Sequence, residues 1–445
     1  MKQTTGTPPT TRPPGRYVGL DFGTTNSAVA TVAGSEAVLA GFATPGGTSN
    51  TFASVLYFER QRHATGTRVR CHAGPAAVAH YLEAEDRGRW MQSLKAYLGD
   101  RRFESTTVFG RTHTLAGLIS LIVKQMLSGA DRPVEPLATR AVIGRPVHFT
   151  NARGGSDDEF ALTRLLDAVG RCGFEEILVE YEPVAAAYSY ERNLARDEII
   201  LIGDFGGGTS DFSILRVGPT FRRHGRTRGD ILGSDGVAVA GDSFDRQIVR
   251  HLVAPRLGLH SEYLSPPDKM LPVPCWPYEH LERWHQLSFL NNDRQLERIE
   301  RIRQFASSPG QLQAFIDVIR GELGYQLHEA VRRTKFALSA DVEATFEFTT
   351  GTLSIVQKVT RPDFEGWIAP ELAVMARCVD GLIGRTGVSP DEIDHVFLTG
   401  GSSFVPAVRR IFVDRFGASK ITGGGELTSV ATGLALRAAE HWAEG

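Results

Sequence analysis

Cysteine is scarce. Four residues, Cys71, Cys172, Cys275 and Cys378, are spread over 445 positions, with no CxxC pair and no Cys/His ligand spacing. That spacing argues against a disulfide framework or a structural zinc site, and a reducing cytoplasmic setting is expected. A long apolar run is missing too. The most hydrophobic window, Leu115 to Leu127, is interrupted by Ser120, Lys124 and Gln125. It is too short to cross a bilayer and reads as a core-facing amphipathic helix. Nor is one sign of charge in excess: 49 Lys and Arg stand against 51 Asp and Glu, a formal net charge of -2. Bulk attraction to nucleic acid or to an anionic membrane is therefore not expected, and neither is taken as a partner. The local basic run Arg222, Arg223, His224, Arg226 and Arg228 reads as a solvated loop. Residues 1–16, rich in Thr and Pro and without an apolar core, are not a signal peptide and read as a disordered tail.

What is present is the composition of a soluble globular protein, 42% hydrophobic and 22% charged, with length for more than one core. Tyr17-Val18-Gly19-Leu20-Asp21 is an apolar run ending on an acid. A turn containing Gly23, Thr24, Thr25 and Asn26 follows, then apolar Ala28 to Val32: strand, tight turn, strand. Helices are expected at 75–85, 115–127, 160–172 and 183–193, and strands at 138–143 and 177–181. The pattern then restarts. Ile199-Ile200-Leu201-Ile202-Gly203-Asp204 again ends on an acid, meets Gly206-Gly207-Gly208 and continues into the strand Phe212 to Val217. Helices are expected from Asp242 to about Val253, through 296–339, and at 363–383, 405–416 and 429–442, with strands at 344–349, 353–359 and 395–398. Asp21 to Ala28 can be laid on Asp204 to Asp211, and this internal repeat implies two α/β lobes facing each other across a cleft. The first lobe is expected over 17–197, with 424–445 returning to it, and the second over 198–423. A proline- and tryptophan-bearing elaboration, about 255–311, is read as a locally packed insertion.

An acid at the end of a buried strand, followed by small residues in a tight turn, suits a metal–phosphate group. Glycine lets the backbone approach, turn N–H groups meet phosphate oxygens, and Thr or Ser hydroxyls add donors. Asp21 and Asp204 would face Mg²⁺ through its waters, because that ion gives up hydration reluctantly. The His-Arg-Asp loop and glycine-loop lysine of protein kinases are absent. Glu182, before Pro183, fits the first turn of a helix at the sheet edge and could orient a water. Asp211 is a further acid on that rim. Leu398-Thr399-Gly400-Gly401-Ser402-Ser403 is a strand-to-helix turn on which a base or ribose could pack. Local chemistry alone does not single out Lys95.

These segments resemble the heat shock protein 70 chaperones. Gly19 to Ser27 is similar to their first phosphate motif, Asp204 to Asp211 to their second, Glu182 to Ala187 to their connecting segment, and Leu398 to Ser403 to their adenosine motif. Ala141 to Pro146, and Gly423-Gly424-Gly425 leading into Ser429 to Ala435, resemble the short YegD-type branch. The resemblance implies an actin-like ATPase (ribonuclease H-like) fold that binds ATP or ADP with Mg²⁺. It implies that Gly23, Thr24, Thr25, Asn26 and Gly206, Gly207, Gly208, Thr209 hold the β- and γ-phosphates. Lys95 would contact the γ-phosphate and the attacking water, and Lys335 and Ser339 would lie at the ribose and adenine. Gly400, Gly401 and Ser402 would close that pocket. Three positions depart from the family pattern. Phe336 stands for an adenine-stacking arginine, Arg332 for an acid, and Ala96 for an arginine, which implies weaker nucleotide binding. The family's peptide-binding domain has no counterpart in these 445 residues. The implied function is a slow ATPase whose lobes open and close and act on an unidentified protein partner or client. A small-molecule (sugar) kinase and an ATP-binding filament or scaffold protein are the alternative readings of the same fold.

Overall fold

The computed structural model describes residues 16–44, 46–63, 66–84, 88–131, 138–152, 154–192, 194–224, 228–351, 353–423 and 428–442. The expected tail before residue 16, the side chains of the basic run 222–228 and the glycines 424–425 lie outside what is described.

Two sheets of one topology form the frame. In the first, β1 (Arg16–Asp21) pairs antiparallel with β2 (Asn26–Ala33), and β2 antiparallel with β3 (Glu36–Leu39). On its other edge β1 runs parallel to β4 (Ala138–Arg145), and β4 parallel to β5 (Glu176–Tyr181), giving the order β5-β4-β1-β2-β3. In the second sheet the strands are β6 (Glu198–Phe205), β7 (Ser210–Val217), β8 (Ile231–Val237), β9 (His395–Thr399) and β10 (Ile421–Gly423). They repeat the order as β8-β7-β6-β9-β10 with the same directions. The repeat reaches the register: Asp21 faces Ala28 across the first hairpin as Asp204 faces Asp211 across the second. The sequence repeat is thus a repeat of topology, and the fold is the two-lobed actin-like α/β fold.

The near-continuous apolar run of β6 is explained by burial on both faces. Ile200 and Ile202 pack with Leu215 and Val217 against α3 (Glu182–Glu191) and α8 (Ser429–Trp442). Leu201, Phe205 and Ile214 face the other way. There they meet α4 (Gly241–Ile248), α6 (Ala369–Thr386) and α7 (Pro406–Phe416). Val142 of β4 joins the same cluster as Ile200, Val184 and Leu434, so α3 and α8 lie between the two sheets. The remaining face of the first sheet is covered by α1 (Leu115–Ser128) and α2 (Gly155–Gly170) through Leu118, Ile122, Leu165 and Ala168. Two glycines permit the central contact. A Cβ on Gly433 of α8 would overlap the Ala185 carbonyl oxygen of α3, and one on Gly19 of β1 would overlap the Ala435 backbone.

The elaborated segment is part of the second core. Tyr278, Leu281, Leu290 and Ile299 join the cluster of Phe244 and Phe315. Several element boundaries differ from the sequence expectation. α2 starts at Gly155, before the expected Phe160, because the polar first turn masks its amphipathic period. The expected helix 363–383 is two helices, Arg361–Trp367 and α6, the second restarting with Pro in its first turn. The region 296–339 divides into Asp293–Gln304, Pro309–Arg320 and α5 (Gly324–Ala340), Pro309 having no N–H to continue the preceding helix. The first strand begins at Arg16, inside the segment read as tail. A three-stranded sheet, Val55–His63, Gly66–Ala73 and Arg89–Gln92, was not expected. Among the described residues no helix is long and apolar enough to cross a membrane.

Candidate functional site

The two acid-ended hairpins open on one cavity of about 540 Å³ between the lobes. Asp21, Gly23, Thr24, Thr25, Asn26, Lys95, Glu182, Asp204, Gly206, Gly207, Thr209, Lys335, Ser339, Gly400, Gly401 and Ser402 all line it. Gly208 lines an adjoining cavity of about 330 Å³ that shares Thr24, Thr25 and Asn26 with the first. The turns are tight: a Cβ on Gly23 would overlap the Asn26 carbonyl, and the Gly206 N–H donates to the Thr209 carbonyl at 3.0 Å. They also meet. A Cβ on Gly207 would overlap the Thr25 hydroxyl, and one on Gly208 would lie 2.9 Å from Thr150 Oγ1 and 3.3 Å from Thr24 Oγ1. Only glycine lets the second turn come this close to the first.

Between the hairpins sits a buried ion pair. Glu182 opens α3, with Pro183 in the first turn, and accepts a hydrogen bond from Lys95 Nζ at 2.6 Å. Lys95 stands on the 3₁₀ turn Leu94–Tyr97, preceded by Ser93 in the left-handed region at φ 55°. Both partners are buried. Burial draws the Lys95 pKa down, but the carboxylates of Glu182, Asp21 and Asp211 outweigh it, and the ammonium is held above its usual range. The acids behave oppositely. Burial first and the Glu182 charge second push Asp21 up to about 7, with Lys95 pulling back. Asp204 is raised by burial, Glu182 and Asp21. Asp211 is pushed to about 7 by burial and Glu182, although it accepts the Val147 N–H at 2.8 Å.

This donor set fits Mg²⁺. Asp21, Asp204 and Glu182 offer hard oxygens to the cavity, their negative charge exceeds what Lys95 neutralises, and a divalent cation would offset the burial and the mutual repulsion that raise Asp21 and Asp204. Among the described residues these carboxylates do not form a group with all donor atoms within 4.8 Å of one another. A hydrated ion suits such a spread better than a stripped one.

On the far side of the cavity Lys335 of α5 pairs with Asp245 at 2.7 Å and donates to the Gly241 carbonyl at 3.2 Å. Ser339 donates to the Lys335 carbonyl at 3.0 Å. Gly400, at φ +84°, lies so close to Phe205 that a Cβ would overlap its backbone. Phe336 borders the cavity and is 73% exposed. Arg332 also lines it, with Nη1 2.7 Å from Glu329.

Among the lining residues missed from sequence, Asp242, Asp245 and His328 carry ionisable groups in the thick of the cavity. Asp242 is pushed up to about 6 by burial and by Asp245, and its N–H donates to the Gly207 carbonyl at 2.8 Å, tying α4 to the second glycine turn. His328 is pulled down to about 4 by burial, against the pull of Asp245. Its folded pKa lies below the unfolded value of 6.5. The stability this contributes is therefore fully present above pH 6.5 and lost as pH falls toward 4. Between pH 7.5 and 4.5 the wild type should lose about 2 kcal/mol more than His328→Gln. Urea denaturation at the two pH values measures this, and parallel pH profiles for the two proteins would contradict it.

A family model described as Hsp70 protein matches residues 85–257 and 301–443. The chain belongs to the Hsp70 family. Outside the match lie residues 1–84, which include the first hairpin, and the stretch 258–300, which falls inside the elaborated segment. Among curated relatives, the chaperone protein DnaK of one Thermus thermophilus strain is 25% identical over 456 aligned residues, covering 95% of this chain. DnaK of a second strain of the same organism is 24% identical over the same length. The chain spans about 60% of the length of these relatives.

Proposed function

We propose that this Hsp70-family chain binds ATP and ADP in the interlobe cavity and hydrolyses ATP slowly. The nucleotide state would set how far the lobes close, and closure would regulate the hold on a protein partner or client. The observation that carries this reading is the meeting of the two glycine hairpins at one cavity, with the Lys95–Glu182 pair between them. In this reading the N–H groups and hydroxyls of Thr24, Thr25, Asn26, Gly206, Gly207, Gly208 and Thr209 hold the β- and γ-phosphates. Asp21 and Asp204 would hold hydrated Mg²⁺, which when bound neutralises phosphate charge. Lys95 would contact the γ-phosphate and the attacking water, and Glu182 would hold Lys95 in place. The ribose and adenine would lie against Lys335, Ser339, Gly400, Gly401 and Ser402, with Phe336 offering a ring to the base. Slow turnover is supported by the state of the pair itself. The ammonium is held protonated and Glu182 is engaged with it, so neither is a ready base, and positioning and charge must carry the reaction.

ATP spanning both hairpins binds the closed arrangement better than the open one and so shifts the lobes toward closure. The proposed division places 17–197 and 424–445 in the first lobe and 198–423 in the second, in a cytoplasmic protein. The test is phosphate release by the purified chain with Mg²⁺ and ATP. Asp204→Asn should reduce it at least ~10-fold. ADP formation that requires a sugar would instead support a kinase, and release undiminished in Asp204→Asn would sink the assignment.

A further inference from the structure

Away from the cleft, one set of metal-ligating side chains converges among the described residues. Glu59, His72 and His80 each offer a ligand atom, and the three atoms all lie within 4.8 Å of one another. We propose that these residues form a binding site for a divalent transition metal of the Zn²⁺ class.

Local structure brings them together. Glu59 lies on the strand Val55–His63 and His72 on its antiparallel neighbour Gly66–Ala73. The register sets Tyr57 against His72 and Glu59 against Arg70, so Glu59 and His72 are diagonal neighbours on one face. Gly74, at φ +60°, turns the chain directly into the helix Gly74–Glu83, and a Cβ there would overlap the Phe52 ring. The helix folds back over the hairpin and delivers His80 from above.

The spacing matches what a metal requires. His72 Nε2 is 3.0 Å and His80 Nδ1 3.9 Å from the same oxygen, Glu59 Oε1. Two donors each about 2.0–2.1 Å from a tetrahedral Zn²⁺ stand roughly 3.3 Å apart, between these two values. The two imidazoles stack with centroids 3.7 Å apart and planes at 21°, so one ring must tilt for both in-plane lone pairs to reach a single ion. The Gln61 amide donates to Glu59 Oε1 at 2.7 Å and orients the carboxylate, as outer groups orient metal ligands. Two imidazoles and one carboxylate select Zn²⁺, Co²⁺, Ni²⁺ or Cu²⁺ over Mg²⁺ or Ca²⁺. The side chains of Glu59 and His72 are 16% and 15% exposed and that of His80 41%, so an ion could enter from the helix side. A hydrogen-bonded Glu59–His72 pair alone would leave the approach of His80 without a purpose. Arg70, opposite Glu59, forms no ion pair with it among the described residues, and Cys71 packs against the apolar core on the other face. The separation of Glu59 from His72, 13 residues, matches no zinc-ligand spacing, which is why sequence gives no sign of the site. A bound ion would clip the helix to the hairpin one residue before Tyr81, whose hydroxyl donates across the cleft to the Glu322 carbonyl at 2.7 Å.

The test uses the full chain, stripped with a chelator and kept saturated with Mg²⁺ and ADP so that the cleft does not compete. Zn²⁺ is titrated in against a chromophoric chelator, and Co²⁺ serves as a visible-absorbing probe. The wild type should take up a single high-affinity equivalent and give a Co²⁺ spectrum of tetrahedral character. His80→Ala and His72→Ala should each weaken Zn²⁺ at least ~10- to 100-fold and abolish that spectrum. The exposed His80 makes its variant the safe one for folding, checked by circular dichroism. A wild type that fails to compete for Zn²⁺, or variants that bind it undiminished, would overturn the proposal.

Discussion

Lys95→Ala should slow single-turnover phosphate release by roughly 10²- to 10³-fold while ATP still binds. The ammonium is 2.6 Å from Glu182 Oε1 and nearly buried, so no surface lysine can substitute for it. It is the cation closest to a set of acids that already resist ionisation, with Asp21 and Asp211 each pushed to about 7 by burial and by Glu182. Its removal leaves Glu182 buried without its partner. Breaking such a pair costs about 3–5 kcal/mol. Lys95 also pulls the Asp21 and Asp211 carboxyls down, so its loss raises them further, and the fall in stability that accompanies the kinetic loss should be larger at pH 8 than at pH 6. Glu182→Gln separates the two effects. It keeps the shape and the ammonium but loosens its aim, and should cost less in turnover than Lys95→Ala. Release at the wild-type rate from Lys95→Ala would remove the lysine from the proposed mechanism.

How much of this was legible before the structure depends on whether the signal was local. The hairpins were readable because an acid-ended apolar run and a glycine turn are adjacent in sequence, and the equal register of Asp21–Ala28 and Asp204–Asp211 follows from that repeat. Gly400 was readable for the same reason. Lys95 was not. Its place beside Glu182 arises from a 3₁₀ turn 87 residues away in sequence, and only family resemblance pointed to it. Asp242 was passed over because an acid in a first helical turn ordinarily serves the helix dipole, and Asp245 because nothing beside it in sequence marks an acid that faces the cleft. Gly241, just before Asp242, was the available signal. His328 lies on α5 amid charged neighbours, and nothing short of the packed cleft reveals that it is buried. The hairpin of Val55–His63 and Gly66–Ala73 was missed because Glu, Arg and His interrupt its alternation. Those same residues hold the proposed metal site.

Gly433→Ala should destabilise the protein by about 3 kcal/mol, more than most single-methyl additions. Overpacking a core typically costs about 1–3 kcal/mol when side chains can shift. Here the new Cβ meets the Ala185 carbonyl oxygen, which belongs to the backbone of α3 and cannot rotate aside. Alanine's better helix propensity returns about 1 kcal/mol at most. The strain cannot be relieved by moving α8 the other way, because Ala431 and Ala435 already lie against Gly19 of β1, where a Cβ would overlap the helix backbone. α3 must then yield, and α3 begins at Glu182. The folded fraction of Gly433→Ala should therefore release phosphate more slowly than wild type, although position 433 is not among the residues lining the cavity. Gly384→Ala is the matched control, since that helical glycine is exposed with nothing within 4 Å of its Cβ position. It should gain about 0.5–1 kcal/mol. Urea midpoints for both variants decide the matter. If Gly433→Ala unfolds with the wild type, the tight contact between α3 and α8 does not hold Glu182 in place, and its aim toward Lys95 must come from Gly144, whose Cβ position lies 3.0 Å from Glu182 Cγ.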